Sequence, residues 1–186
     1  MFRPSIESWL QQNWPAGLAD LSRPASEDEI RTLEQALARS LPEDFVSSLR
    51  IHNGQKGIAG YLCPSGELLS SGEIASQWQV WKDLFDSGDF DEYESEPANE
   101  AIARDWWNPG WVPITHNGGG DHDCLDLSPT SAGQTGQVIT MWHDMAEREL
   151  LAPNFSTWLQ QLAGKLLSCE VVYSEEYGGL IEPENT

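Results

Sequence analysis

The feature that most restricts the fold is the stretch from Trp106 to Asp144, WWNPGWVPITHNGGGDHDCLDLSPTSAGQTGQVITMWHD, where short apolar runs alternate with glycine- and proline-bearing junctions. Residues 112–115 and 138–142 read as strands, with 124–127 as a third between them. Residues 117–120, Asn-Gly-Gly-Gly, offer several positions that take φ > 0 without steric cost, as a tight reversal between twisted strands requires. The longer run 128–136 is rich in Ser, Thr, Gly and Pro and reads as a solvated loop. In the last run Val138, Thr140 and Trp142 alternate with Ile139, Met141 and His143, which predicts a strand with one face wholly buried and the other mostly so. The pattern is that of an antiparallel meander.

Helical patterns flank it on both sides. Ser5 is placed to cap a short helix carrying Ile6, Trp9 and Leu10 and ended by Asn13 and Pro15. Ser26 with Glu29 forms a capping box ahead of Ile30, Leu33, Leu37 and Leu41. Pro42 takes a first helical position, Glu43 and Asp44 suit the helix dipole, and Phe45, Val46 and Leu49 form the buried face. His52-Asn53-Gly54 then reads as a stop signal, with His52 part of it rather than a base or ligand. Residues 58–62 and 67–69 are expected as short strands. Ser71 is expected to cap a helix through Ile74, Trp78, Trp81, Leu84 and Phe85, whose helical spacing makes them packing residues, and 98–105 to hold a helical turn. After Asp144, residues 145–151 return as an edge strand. Asn154 starts a final helix with Phe155, Trp158, Leu159, Leu162 and Leu166 on its apolar face, Val171 to Tyr173 add a strand, and 182–186 fray. No repeat or linker divides the 186 residues, so one α+β domain is expected over 1–186.

Charge narrows the function. Thirty Asp and Glu against ten Lys and Arg give a net charge of -20. Residues 83–100 hold eight acids and no base, and the tail 169–186 is acidic as well. Such a surface repels nucleic acid and anionic membrane, both of which need cations to displace counterions, and attracts a basic protein. Acid excess also serves solubility alone. Against that, Phe85, Phe90 and Tyr93 are interleaved with the acids, which is closer to interface composition than to a solvated linker. Asp86, Asp89, Phe90, Asp91, Glu92, Tyr93 and Glu94 are the candidate partner contacts. Cys63, Cys124 and Cys169 are odd in number and form no CxxC pair, so they read as reduced core thiols of a cytoplasmic protein, and neither a signal peptide nor a transmembrane run is visible.

A metal site is the competing chemistry. His116, Asp121, His122, Asp123, His143 and Asp144 fall on neighbouring strands and turns, and imidazole with carboxylate can hold a divalent ion for hydrolysis. Against it, the Asp-His-Asp run lies in a glycine loop, no fixed helical ligand spacing occurs, and no Ser or Cys nucleophile is paired with a base. No catalytic residue, metal or cofactor is assigned.

The order of signals, a capped helix, LPEDFVSSLRIHNGQ, WNPGWVPI, GGGDHDCLDLSP, GQVITMWHD and a last amphipathic helix, resembles the SUKH superfamily over about residues 22–168. That superfamily includes bacterial immunity proteins that neutralise polymorphic toxins, often nucleases, and a fungal regulator of cell-wall synthesis. The resemblance implies a mostly antiparallel sheet packed against helices, a protein-binding function and no catalysis. It marks Leu41, Pro42, Asn53, Gly54, Trp107, Trp111, Gly120, Asp121, Leu125, Asp126, Gly136, Val138 and His143, most of them as structural positions, with Asp126 holding a loop through backbone amides. The reading placed first is an immunity protein that occludes a basic toxin with the acidic segment. The alternative is a regulatory scaffold binding a cellular partner.

Overall fold

The computed structural model describes residues 3–183. In chain order they form α1 (Arg3–Asn13), α2 (Pro15–Asp20), α3 (Glu27–Leu37), α4 (Glu43–Leu49), β1 (Glu67–Leu68), α5 (Ser71–Ser87) and β2 (Glu96–Pro97). There follow β3 (Trp111–Pro113), β4 (Thr115–His116), β5 (His122–Asp126), β6 (Gln137–Met141), β7 (Glu147–Arg148), β8 (Leu150–Ala152), α6 (Phe155–Leu167), β9 (Val172–Ser174) and β10 (Gly179–Ile181).

The glycine turns build a four-stranded antiparallel sheet of order β3-β5-β6-β8, with Leu125 opposite both Val112 and Val138. Gly118 and Gly120 take φ of 82° and 108° at the β4–β5 reversal, where a side chain would be strained. Strand β4 extends the line of β3 and pairs outward with β1. Strands β5 and β6 are buried along their whole length, because helices cover both faces. Successive side chains of β5 point to opposite faces, and this separates two neighbours. The Trp81 indole of α5 donates to His122 Nε2 (3.1 Å) on one face, and the Trp158 indole of α6 donates to Asp123 Oδ2 (3.2 Å) on the other. Helix α3 packs on α5, and α1 and α4 pack on α6. One hydrophobic cluster runs from Ile6 to Leu180.

The capping box at Ser26 and Glu29 is complete, and Ile30, Leu33 and Leu37 are buried. Several expectations are corrected. Helix α1 begins at Arg3, so Ser5 lies inside it, and Pro15 opens a further helix, α2, from its first position instead of only ending the one before. Pro42 precedes α4 as its N-cap. The cap of α5 is Ser70, which with Glu73 makes a second capping box. Residues 58–62 form no strand, since Gly57 and Gly60 sit at φ of 71° and 112° and leave Ile58 82% exposed. Leu84 and Phe85 lie on the half-exposed side of α5, and 98–105 hold turns without a helix. The tail forms the hairpin β9–β10, anchored by buried Val171 and Leu180 and by Tyr173 stacked on Trp14 at 5.0 Å. Cys63 and Cys124 are buried, whereas Cys169 is exposed. Residues 184–186 of the expected fraying end lie outside the described residues.

Candidate functional site

The acidic segment forms a ridge. Helix α5 ends at Gly88, whose φ of 82° satisfies the last carbonyls, and tight turns at residues 88–93 follow. Asp86, Asp89, Asp91, Glu92, Tyr93 and Glu94 are exposed along it. Phe90 is half-buried and stacks on Trp81 at 5.8 Å, so it fixes the ridge to the core more than it projects from it. Tyr93 is 58% exposed and leans on Trp106, and Val80, Leu84 and Phe85 add exposed apolar area on α5. The ridge thus carries both charge and contact area.

Arg148 ties the ridge to the sheet. Strand β2 runs parallel to β7, and the Arg148 carbonyl accepts from Ala98 N (3.0 Å). The Arg148 side chain is fully buried and donates to the carbonyls of Met145, Glu147 and Trp106 at 2.6, 2.8 and 2.8 Å. Its guanidinium lies over Trp106 and Trp111, 5.3 and 5.8 Å from the ring centres. No carboxylate among the described residues lies within ion-pair distance, and burial lowers its pKa to about 10.

The other marked positions are distributed through the core and its turns. Trp107 sits among Trp78, Trp81 and Phe85. Asn53 accepts from Ser71 N (2.7 Å), joining the end of α4 to the start of α5, and Gly54 there has φ 70°. Gly136, at φ 88°, packs on Pro42 so closely that an added Cβ would lie 2.9 Å from its ring. Asp126 accepts from Ser128 N and from Gln137 Nε2, both 2.9 Å.

The six candidate metal ligands separate into three environments. Asp121, His143 and Asp144 converge, with ligand atoms within 4.8 Å of one another, at the exposed end of the sheet. Burial pushes the Asp121 carboxyl up, but hydrogen bonds from His143 and Asn117 outweigh it and hold it below its ordinary value. The Asp121 bond raises the His143 pKa. His122 points to the α5 side, stacked on His116 at 5.0 Å, and burial lowers its pKa to about 4. Asp123 points to the α6 side, and burial raises its pKa to about 6. His52 bonds Glu7 and the Ser22 carbonyl, each at 3.0 Å.

On the Asp123 side lies a cleft of about 970 Å³ between α6, the 63–65 loop, β6 and β8, and the tail. Ser65 Oγ donates to Asp123 Oδ2 at 2.8 Å, and Lys165 pairs with Glu182 at 2.5 Å on the rim. Sequence reasoning missed this cleft. Asp121, Asp123, Thr140 and Trp142 stand in the marked motifs, but the other lining residues come from separate segments, and only the fold brings them together.

Residues 24–161 match the SMI1 / KNR4 family (SUKH-1). The chain is 24% identical over 198 residues to the glucan synthesis regulatory protein of Neurospora crassa, covering 88% of this chain and 37% of that protein. It is 23% identical over 197 residues to the cell wall assembly regulator SMI1 of Saccharomyces cerevisiae, covering 87% and 39%. The cell wall biosynthesis/cell cycle regulator smi1 of Schizosaccharomyces pombe is 28% identical over 171 residues, covering 85% and 34%. The chain therefore spans between a third and two fifths of the length of these relatives.

Proposed function

The chain belongs to the SMI1 / KNR4 family (SUKH-1), and from that premise we propose that it is a non-catalytic regulatory scaffold that works by holding another protein. The relatives above are regulators by name, which supports the scaffold over toxin neutralisation as the first reading. The observation that carries the protein-binding part is the ridge, where exposed Asp86, Asp89, Asp91, Glu92 and Glu94 surround exposed Tyr93 beside the apolar side of α5. Charge of this density steers a basic partner, and the aromatic and aliphatic area supplies what remains once water is expelled. No helix among the described residues is long and apolar enough to cross a membrane. A cytoplasmic partner belongs to the same proposal.

Immunity against a basic toxin is the second reading, favoured by the net charge of -20 and by the wider superfamily. A photo-crosslinking amino acid at Tyr93, introduced in cells, tests both. One basic protein should be captured, and reversing Asp86, Asp89, Asp91 and Glu92 to Lys should weaken its affinity by about 100-fold or more. Unchanged affinity after reversal removes the ridge as the contact. Capture of a toxin domain, with growth rescued by co-expression, makes immunity the function.

A further inference from the structure

We infer that the cleft beside α6 receives a cationic side chain, lysine or arginine, carried by an extended segment of a protein partner. The cation follows from charge. Asp121, Asp123, Glu149, Glu170 and Glu182 line the cleft against Lys165, which Glu182 already holds. Anions are repelled, and beyond Lys165 on Glu182 and His143 on Asp121 no base is paired with a cleft carboxylate among the described residues.

Asp123 is the anchor. It is 4% exposed, and its Oδ2 takes both protein donors, the Ser65 hydroxyl and the Trp158 indole. Its Oδ1 accepts no hydrogen bond among the described residues, and Asp123 belongs to the cleft lining. A buried carboxylate with an unused oxygen is costly, and an entering ammonium or guanidinium offsets that cost with a charge-assisted bond. Half-exposed Trp142 and buried Trp158 also line the cleft and suit the alkyl stem and the flat face of such a group.

The spread of acids decides against a metal ion. Among the described residues only Asp121, His143 and Asp144 bring three ligand atoms within 4.8 Å, and Asp123, Glu149, Glu170 and Glu182 are not of that group. Dispersed carboxylates fit a long cation whose charge can reach one while its neighbours meet others. The choice of a protein segment over a free polyamine rests on the protein-binding reading above. The cleft is separate from the ridge, and Lys165, Glu170 and Glu182 lie beyond the residues 24–161 that match the family.

The test is a titration of the ¹⁵N-labelled full chain with acetyl-Gly-Arg-Gly-amide, following the Trp158 indole N–H that donates to Asp123. That resonance should move saturably while those of Trp78 and Trp81 stay, and the glutamate analogue of the peptide should move none. Asp123→Asn should weaken the titration about tenfold or more, although it removes one charge among many, whereas neutralising Asp86, Asp89, Asp91 and Glu92 should leave it within about twofold. Trp142→Ala and Glu149→Gln, both at exposed positions, should each weaken it severalfold, which keeps the test independent of any misfolding of the Asp123 variant. A still Trp158 resonance, or an unchanged midpoint in all three cleft variants, overturns the site. Spermine binding far more tightly than a peptide of equal charge overturns the protein source. Loss of the crosslinked partner on ridge reversal with no Trp158 shift sinks the cleft alone, and a Trp158 shift without any ridge effect sinks the ridge alone.

Discussion

His122 and Asp123 are adjacent, yet burial displaces their protonation in opposite senses, to about 4 and about 6. Below the ordinary histidine value the unfolded chain takes a proton that folded His122 refuses, so its contribution to stability falls as pH drops from about 6.5 to 4. Asp123 works the other way. Between 3.8 and about 6 the folded carboxyl keeps a proton that the unfolded chain has lost, so stability falls as pH rises through that window and stays lower above it. Asp123→Asn removes this second effect. Its stability relative to wild type, from urea melts, should rise between pH 4 and pH 7.5 by up to about 3 kcal/mol, and a difference that stays flat would show that the carboxyl ionises normally. Around Arg148 it is the neighbours that depend on one side chain. Arg148→Met leaves the Met145, Glu147 and Trp106 carbonyls without their donor and should cost about 3 kcal/mol, with faster proteolysis of the 88–106 segment. An unchanged urea midpoint would mean that water replaces the guanidinium.

Element by element, what could be read in the sequence was what short-range chemistry determines. The Ser26–Glu29 box joins residues three positions apart, and β5–β6 pairs across one loop, whereas α4 ends at Leu49 with Arg50 as its C-cap, short of the stop expected at residues 52–54. Residues 58–62 were apolar enough to suggest a strand, but Gly57 and Gly60 at positive φ break the extended backbone and leave only the single bridge from Tyr61 to Gly179 among the described residues. Leu84 and Phe85 keep the helical spacing of Trp81, yet among the described residues nothing covers their side of α5 fully, and no local pattern records that. The ridge was visible as a run of acids, whereas the cleft was not, because its parts are separated by up to 119 positions from Cys63 to Glu182. Two substitutions test how local these determinants are. Ser70→Ala removes the side-chain acceptor of Glu73 N and should cost about 1 kcal/mol by urea melt. Gly54→Ala should cost considerably more than the ~1 kcal/mol of an ordinary positive-φ glycine, since its Cβ would lie 2.4 Å from the Leu69 carbonyl carbon. A smaller loss than for Ser70→Ala would mean that the α4–α5 junction is free to move apart.

At the scale of the whole molecule, a net charge of -20 sets the reach over which a basic partner is felt, and that reach shortens as salt screens it. Raising salt should therefore slow association with the partner steeply while changing its dissociation little, as stopped-flow measurement would show; equal effects on both would place charged pairs inside the buried contact. The clamp formed by β2, β7 and Arg148 bears on the same event from another side. A ridge already fastened to the sheet exposes no apolar surface that must first condense when a partner arrives. Calorimetry of the complex over a range of temperatures should then give the modest negative heat-capacity change of two finished surfaces meeting, without the larger decrement of a segment that folds as it binds.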